Sequence, residues 1–323
     1  MLLGSALALV GAMAWSVSVG AANIDIRTVW SAIFAYNPDL TAHQIIQEIR
    51  LPRVVVGVMV GACFAVAGAV MQGMTRNPLA SPSLLGLNAG AGFFLVLAFA
   101  FLPGLSYSSL IVVSFLGAAF GASLVYGVGA LSRGGLTPVK LALAGAAVAA
   151  LLTSLTTGLV IYYDLAQDVL FYTAGGVQGV RWKQVVLLLP WFAAGIIGAL
   201  VIAPNITILS LGDDIAVGLG QRTGLVKVCG TLVTLLLAGA AVAIAGGVGF
   251  IGLVIPHIAR FLVGLDYRWI IPSSALLGGL LFVLSDLGAR MVNPPFETPV
   301  GLITALVGVP FFLYLARRDR RGM

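Results

Sequence analysis

Long apolar segments with almost no charged side chains restrict what this sequence can fold into. Ten of them run for roughly 20 residues each, the length that an α-helix needs to cross about 30 Å of hydrocarbon. Because lipid offers the backbone no hydrogen-bond partner, continuous apolar runs favour helices over barrel strands. We therefore predict an all-α integral membrane protein with about ten transmembrane helices. These helices form a single domain that covers residues 1–323. The predicted spans are approximately 3–22, 54–74, 83–103, 108–131, 138–163, 184–204, 225–245, 247–265, 270–289 and 298–316.

The amino-acid composition excludes an ordinary soluble protein. Of the 323 residues, 60% are hydrophobic and only 9% are charged, and the mean hydropathy is +1.09. A soluble domain carries about 25% charged residues, because its surface must be solvated. The net charge of +6 arises mostly between apolar runs. It therefore indicates membrane topology and contact with lipid, and not nucleic-acid binding, in a multi-pass membrane protein.

The distribution of Lys and Arg predicts the orientation. An even number of spans places both termini on one side, and cytoplasmic loops carry an excess of positive residues. With cytoplasmic N- and C-termini, 11 of the 17 basic residues lie inside. We interpret residues 1–22 as a span, because a signal peptide carries a basic n-region and a shorter apolar core. A signal peptide that is cleaved near the small residues at 18–22 is the alternative. The external basic residues are Arg27, Arg50, Arg53, Arg181, Lys183 and Arg290.

Glycine and proline interrupt the apolar sequence between Gly246 and Pro256. The segment begins with two consecutive glycines and contains Gly249 and Gly252 as well. Such residues at membrane depth are typical of the broken helices that line transporter pathways. We predict a broken helix near Gly246 and Pro256, with an ordinary proline kink as the alternative.

The longest hydrophilic stretch between the predicted spans covers residues 209–223. It has two acidic residues near its start and a basic residue near its end, which suits a short helix. We interpret it as a cytoplasmic segment that contacts a partner protein. A solvated loop without a partner is the alternative.

The sequence contains no recognisable catalytic or metal-binding set. Its two histidines, His43 and His257, are far apart, and its two cysteines lie in separate apolar runs. A Walker A loop requires glycine directly before its lysine, whereas Lys140, Lys183 and Lys227 follow valine, tryptophan and valine. We therefore predict a transport protein without an ATPase site or cofactor of its own, and not an enzyme.

Asp286 is an acidic residue inside a predicted span. It stands four residues before Arg290, so the two side chains share one helix face and can pair. Pairing lowers the insertion cost of a buried charge. The alternative is ion coupling by Asp286, as in a secondary transporter driven by an ion gradient.

An ordered set of motifs resembles the permease family of ABC importers for iron-siderophores, haem and cobalamin. The resemblance covers the chain from about residue 50 to residue 317. The motifs are Arg50-Leu51-Pro52-Arg53, Gly68-Ala69-Val70-Met71-Gln72-Gly73, Arg76-Asn77-Pro78-Leu79-Ala80-Ser81-Pro82, Gly249-Phe250-Ile251-Gly252-Leu253-Val254-Ile255-Pro256-His257, Glu297-Thr298-Pro299-Val300-Gly301 and Gly308-Val309-Pro310-Phe311-Phe312.

This resemblance implies a transport function and a set of partners. The chain would be the permease subunit of an ATP-driven importer that carries an iron-siderophore, with haem and cobalamin as other cargoes. It would work with a second permease subunit, identical or different. Two ATPase subunits would bind ATP and Mg²⁺ on the cytoplasmic side. An external substrate-binding protein would deliver the cargo.

The resemblance also assigns roles to residues of this sequence. Three external arginines would dock the binding protein: Arg50, Arg53 and Arg290. A coupling helix within residues 209–223 would contact the ATPase through Asp213, Asp214, Ala216, Leu219, Gly220 and Arg222. A cytoplasmic gate would include Thr137 and Pro138.

Overall fold

The computed structural model describes residues 1–20, 24–78, 80–82, 86–130, 138–166, 169, 175–294 and 296–319. That part of the chain is helical and contains no β-strand. A π-helical turn, Ile46–Arg50, joins α3 to α4. The helices are α1 (Leu2–Ser18), α2 (Ile26–Phe34), α3 (Thr41–Ile45), α4 (Leu51–Thr75), α5 (Leu87–Phe101), α6 (Tyr107–Ala130), α7 (Pro138–Tyr162), α8 (Trp182–Ser210), α9 (Asp213–Gly218), α10 (Thr223–Ala245), α11 (Ile251–Val263), α12 (Tyr267–Val292) and α13 (Val300–Asp319).

The helix lengths fit a membrane protein. Among the described residues, six helical stretches are long and apolar enough to cross a bilayer. Four shorter apolar helices accompany them: Leu2–Ser18, Leu87–Phe101, Ile251–Val263 and Val300–Leu313. Each predicted span overlaps one of these ten helices, so the predicted all-α membrane architecture is confirmed. The short helices α2 and α3 were not predicted.

Helix α4 lies at the centre of the fold and is buried along almost its whole length. It packs against α12, α10, α8 and α11. Small residues permit this packing: a Cβ atom on Gly68 would lie 1.9 Å from the carbonyl oxygen of Gly252, and one on Gly61 would lie 2.3 Å from that of Gly278. Helices associate in lipid mainly through such close van der Waals contact. Glycine is therefore required at these two crossings.

The predicted helix break lies at residues 246–250, between α10 and α11. Gly246 has a φ of +66° with an extended ψ, which a residue with a Cβ atom rarely adopts. Phe250 then takes a left-handed conformation before α11 begins. The break is shorter than predicted, because Pro256 lies inside α11.

Hydrogen bonds from Gln72 explain how α11 accommodates this proline. Pro256 has no N–H, so the carbonyl of Gly252 lacks its usual helical donor four residues later. Gln72 Nε2, near the end of α4, donates to that carbonyl at 3.2 Å and to the carbonyl of Leu253 at 3.3 Å. Gln72 Oε1 in turn accepts a hydrogen bond from Arg260 of α11. The side chain of Gln72 thus satisfies the carbonyl that the proline leaves free.

Candidate functional site

Arg53, one turn into α4, is the centre of a buried ion-pair network. Its Nε and Nη2 donate to the carboxylate of Asp286 on α12, at 2.8–3.1 Å. Its Nη1 and Nη2 donate to Glu297, at 2.6 Å and 3.2 Å. The side chains of Arg53 and Asp286 are 8% and 4% exposed, whereas that of Glu297 is 39% exposed. Arg53 therefore joins α4 to α12 and to the segment that precedes α13.

Arg290 and Asp286 form the pair that their spacing predicts. Arg290 Nε lies 3.3 Å from Asp286 Oδ2. The two Nη atoms of Arg290 donate to the carbonyls of Ser16 and Val19 and to the Ser16 hydroxyl. Asp286 is thus neutralised by Arg290 and, more closely, by Arg53.

Arg50 lies beside the same network but bonds to the backbone. Its Nη1 donates to the carbonyls of Val17 and Ser18 at the C-terminal end of α1, at 2.8 Å and 3.1 Å. A cation is favourable there, because the last carbonyls of a helix carry partial negative charge. The three arginines of the sequence prediction therefore converge where α1 ends, α4 begins and α12 ends.

The acidic partners of this cluster could only partly be foreseen. Glu297 belongs to one of the family motifs, but the resemblance gives it no docking role. Arg53 donates to Asp286 across 233 residues and to Glu297 across 244 residues, a separation that local spacing cannot reveal. We call Arg50, Arg53, Asp286, Arg290 and Glu297 the external cluster, after the side of the membrane on which the sequence predicts its arginines.

A second charged group lies at the other end of α4. Asp213, the first residue of α9, pairs with Lys227 at 2.8 Å and with Arg76 at 3.0 Å. Arg76 ends α4 in a left-handed conformation, and Lys227 lies in the first turns of α10. The hydrogen bond from Lys227 lowers the pKa of Asp213 below its ordinary value. Asp213 therefore connects α9 to α4 and α10.

Helix α9 and the residue that follows it expose apolar side chains in the described part of the chain. Ala216 is fully buried, whereas Ile215, Val217 and Leu219 are 51%, 59% and 66% exposed. The short helix predicted for residues 209–223 is present. Of its predicted contact residues, Asp213, Asp214 and Ala216 lie in α9, Leu219 and Gly220 follow it, and Arg222 precedes α10.

The two charged groups are separated by about the thickness of a membrane. Arg53 and Arg76 are 23 residues apart at opposite ends of α4. A rise of 1.5 Å per residue places them about 35 Å apart. The hydrocarbon core of a bilayer is about 30 Å thick. The external cluster and the Asp213 group therefore lie on opposite sides of the apolar layer.

A cavity of about 380 Å³ opens beside the helix break. It is lined by apolar residues of α5, α7 and α10 together with Asn88, Thr153, Thr156 and Gly246. Of the predicted gate residues, Thr137 lies outside the described residues, and only the backbone of Pro138 is described, at the start of α7. Within the described residues, no three His, Cys, Asp or Glu side chains are grouped to bind a metal.

Comparisons with known proteins find relatives along nearly the whole chain. The FecCD transport family matches residues 7–318. The iron(3+)-hydroxamate import system permease protein FhuB of Bacillus subtilis (strain 168) is 59% identical over 95% of this chain and 80% of that protein. The hemin transport system permease protein HmuU of Yersinia pestis is 36% identical over 94% of this chain and 91% of that protein.

A solved structure shares the fold. One chain of an inward-facing transporter assigned to the metal-chelate type of ABC transporter matches with a TM-score of 0.84 and 28% identity, and 98% of each chain is covered. The alternative of an ion-gradient-driven transporter gains no support from these relatives. The chain therefore belongs to the FecCD transport family, as a multi-pass permease subunit of an ATP-driven importer in the bacterial cell membrane.

Proposed function

We propose that this permease carries an iron-siderophore of the hydroxamate class. The observation that supports this cargo is the 59% identity to the iron(3+)-hydroxamate permease of Bacillus subtilis. Haem is the second candidate, since the hemin permease of Yersinia pestis is also related, at 36% identity. Cobalamin stays a third possibility from the family resemblance alone.

We further propose ten transmembrane helices with cytoplasmic N- and C-termini. The six long and four shorter apolar helices support that number. The excess of basic residues on the α9 side supports the orientation. The external cluster then faces outward, and α9 faces the cytoplasm.

The proposed importer contains four further protein chains or domains. A second permease subunit pairs with this chain, and two ATPase subunits bind ATP and Mg²⁺ on the cytoplasmic side. Residues 209–223 form the coupling segment, with the exposed face of α9 against an ATPase subunit.

Thr137 and Pro138 remain the proposed gate. A substrate-binding protein docks on the outside, where Arg50, Arg53 and Arg290 attract its acidic residues.

The cargo is tested by uptake of radioactive iron into cells that depend on this permease for import. We expect the cells to take up a radioactive ferric hydroxamate. Excess unlabelled ferric hydroxamate should suppress this uptake, whereas excess haem should leave it unchanged. Suppression by haem alone would contradict the hydroxamate assignment.

Docking is tested with Arg50→Gln in the assembled importer. This change leaves the Arg53 ion pairs intact. Loss of a positive charge at a docking surface should lower the importer's affinity for its substrate-binding protein by about tenfold or more. Arg27→Gln is the control for loss of a positive charge, because Arg27 is an exposed arginine in the same external region, whereas Arg50 is buried against the end of α1. Equal affinities for both variants would exclude a docking role for Arg50.

Coupling is tested with Leu219→Asp. Leu219 is exposed, so the variant should fold, whereas a charge on the apolar face should reduce ATPase binding and ATP-driven uptake. Leu40→Asp, an exposed leucine before α3, is the control. Normal uptake by the Leu219→Asp importer would exclude this face as the coupling surface.

A further inference from the structure

The guanidinium of Arg53 has almost no hydrogen-bonding capacity left for a docking partner. Asp286 accepts hydrogen bonds from the Nε–H of Arg53 and from one N–H of its Nη2. Glu297 accepts hydrogen bonds from one N–H of Nη1 and from the other N–H of Nη2. An arginine side chain has five N–H groups, so one remains. A carboxylate from another protein can form a two-pronged pair with Arg53 only if an existing carboxylate leaves.

The two acidic partners of Arg53 differ in how easily they can leave. Asp286 is buried, is fixed on α12 and also pairs with Arg290. Glu297 is 39% exposed and lies between α12 and α13, where the backbone is not helical. Water can solvate the partly exposed carboxylate of Glu297 once it separates from Arg53, whereas a released Asp286 would remain a buried charge. Glu297 is therefore the exchangeable partner.

The segment that carries Glu297 leads directly to the helix break. Val300 N donates to the carbonyl of Gly175 at 3.2 Å, and Gly176 N donates to the carbonyl of Ala245, the last residue of α10, at 2.8 Å. A Cβ atom on Gly175 would lie 3.4 Å from the carbonyl oxygen of Gly247. Two backbone hydrogen bonds, through Gly175 and Gly176, thus connect the Glu297 segment to Ala245 at the start of the helix break.

We propose that Glu297 occupies, in the undocked permease, the site on Arg53 that a carboxylate of the binding protein takes on docking. Release of Glu297 frees the segment that precedes α13 and loosens its contacts to Gly175 and to the helix break. Docking on the outside is thereby linked to the part of the chain where α10 and α11 separate. This inference rests on the proposed docking role of the external arginines.

Binding of the importer's own binding protein to the complete importer in lipid nanodiscs tests the exchange. In Glu297→Gln the competing charge is lost, so we expect the affinity to rise roughly two- to five-fold, the range for a partly exposed ion pair. Docking should also stimulate ATP hydrolysis less, because the exchange no longer moves the segment. Glu48→Gln is the matched control, since Glu48 is an exposed acid in the same external region, and it should change neither quantity.

The outcomes separate the exchange from the docking role itself. If Arg50→Gln weakens binding but Glu297→Gln leaves the affinity unchanged or lower, docking stands and the exchange is wrong. If Arg50→Gln has no effect either, the docking role fails first.

A second measurement keeps the native Glu297 and does not depend on the variant's assembly. Spin labels at Phe296→Cys and Ile49→Cys, both exposed positions, report the distance between the segment and the start of α4. We expect the distance distribution to shift when the binding protein docks. An unchanged distribution at saturating binding protein would overturn the proposal.

Discussion

Replacement of Asp286 by asparagine should strongly destabilise the permease. The change keeps the size of the side chain but removes the charge that neutralises Arg53 and Arg290, at 2.8 Å and 3.3 Å. Loss of one partner from a buried ion pair typically costs about 3–5 kcal/mol, because the other charge remains buried. Glu297 still bonds to Arg53, so we expect the lower end, about 3 kcal/mol. At about 2–4 °C per kcal/mol this corresponds to a fall in Tm of roughly 6–12 °C.

The assay uses the buried thiol of Cys63 on α4. In a Cys229→Ser background, a thiol-reactive fluorescent dye reaches Cys63 only when the helices separate on heating, because Cys63 is fully buried. Asp39→Asn is the control, since it makes the same chemical change at an exposed position and should alter the stability by less than about 0.5 kcal/mol.

A double-mutant cycle separates the ion pair from other effects. If the pair acts as a unit, Arg53→Gln and Asp286→Asn together should cost much less than the sum of the two single changes. An Asp286→Asn variant that melts within about 2 °C of the parent would refute the reasoning, because a buried carboxylate that neutralises two arginines cannot be removed at so small a cost.

The remaining predictions concern the helix crossing at Gly68 and the Asp213 group. Gly68→Ala should lower the free energy of unfolding by about 1–3 kcal/mol, because its methyl group would meet the carbonyl of Gly252. Gly11→Ala, with nothing within 4 Å, should be neutral or stabilise α1 by up to about 1 kcal/mol in the same thermal assay. Asp213→Asn should reduce ATP-driven uptake while the chain still folds, because α9 loses its ion pairs to Arg76 and Lys227. Because the pKa of Asp213 is lowered in the folded state, the ionised carboxylate stabilises the fold. This stabilisation should be full above about pH 4 and should disappear as the pH falls through the lowered pKa. Thermal unfolding between pH 3 and pH 6 should show this dependence in the parent protein and lack it in Asp213→Asn.

The spans could be predicted because hydrophobicity is a local property of the sequence. The predicted span 184–204 corresponds to Trp182–Ser210, and 225–245 lies within Thr223–Ala245. Helices α2 and α3 were missed, because nine and five residues are too few to form a span. Their place in the fold depends on contacts with each other and with the π-helical turn, which local hydropathy does not report.

The candidate site could be predicted only where its partners are close in sequence. The four-residue spacing of Asp286 and Arg290 revealed one pair. The contacts of Arg53 depend on how α4 crosses α12, so no local pattern could identify Asp286 and Glu297 as its partners. Likewise, the sequence indicated that Pro256 would interrupt a helix, but not that Gln72, 180 residues away from Gly252, would satisfy the freed carbonyl.

The most direct test of the central claim is uptake of a radioactive ferric hydroxamate by proteoliposomes. These contain either the permease assembled with its ATPase subunits and supplied with its binding protein, or the permease alone. We predict uptake by the complete importer that requires ATP inside the vesicle and persists when ionophores collapse all ion gradients. Uptake by the permease alone, abolished by the ionophores and indifferent to ATP, would contradict the assignment as a subunit of an ATP-driven importer.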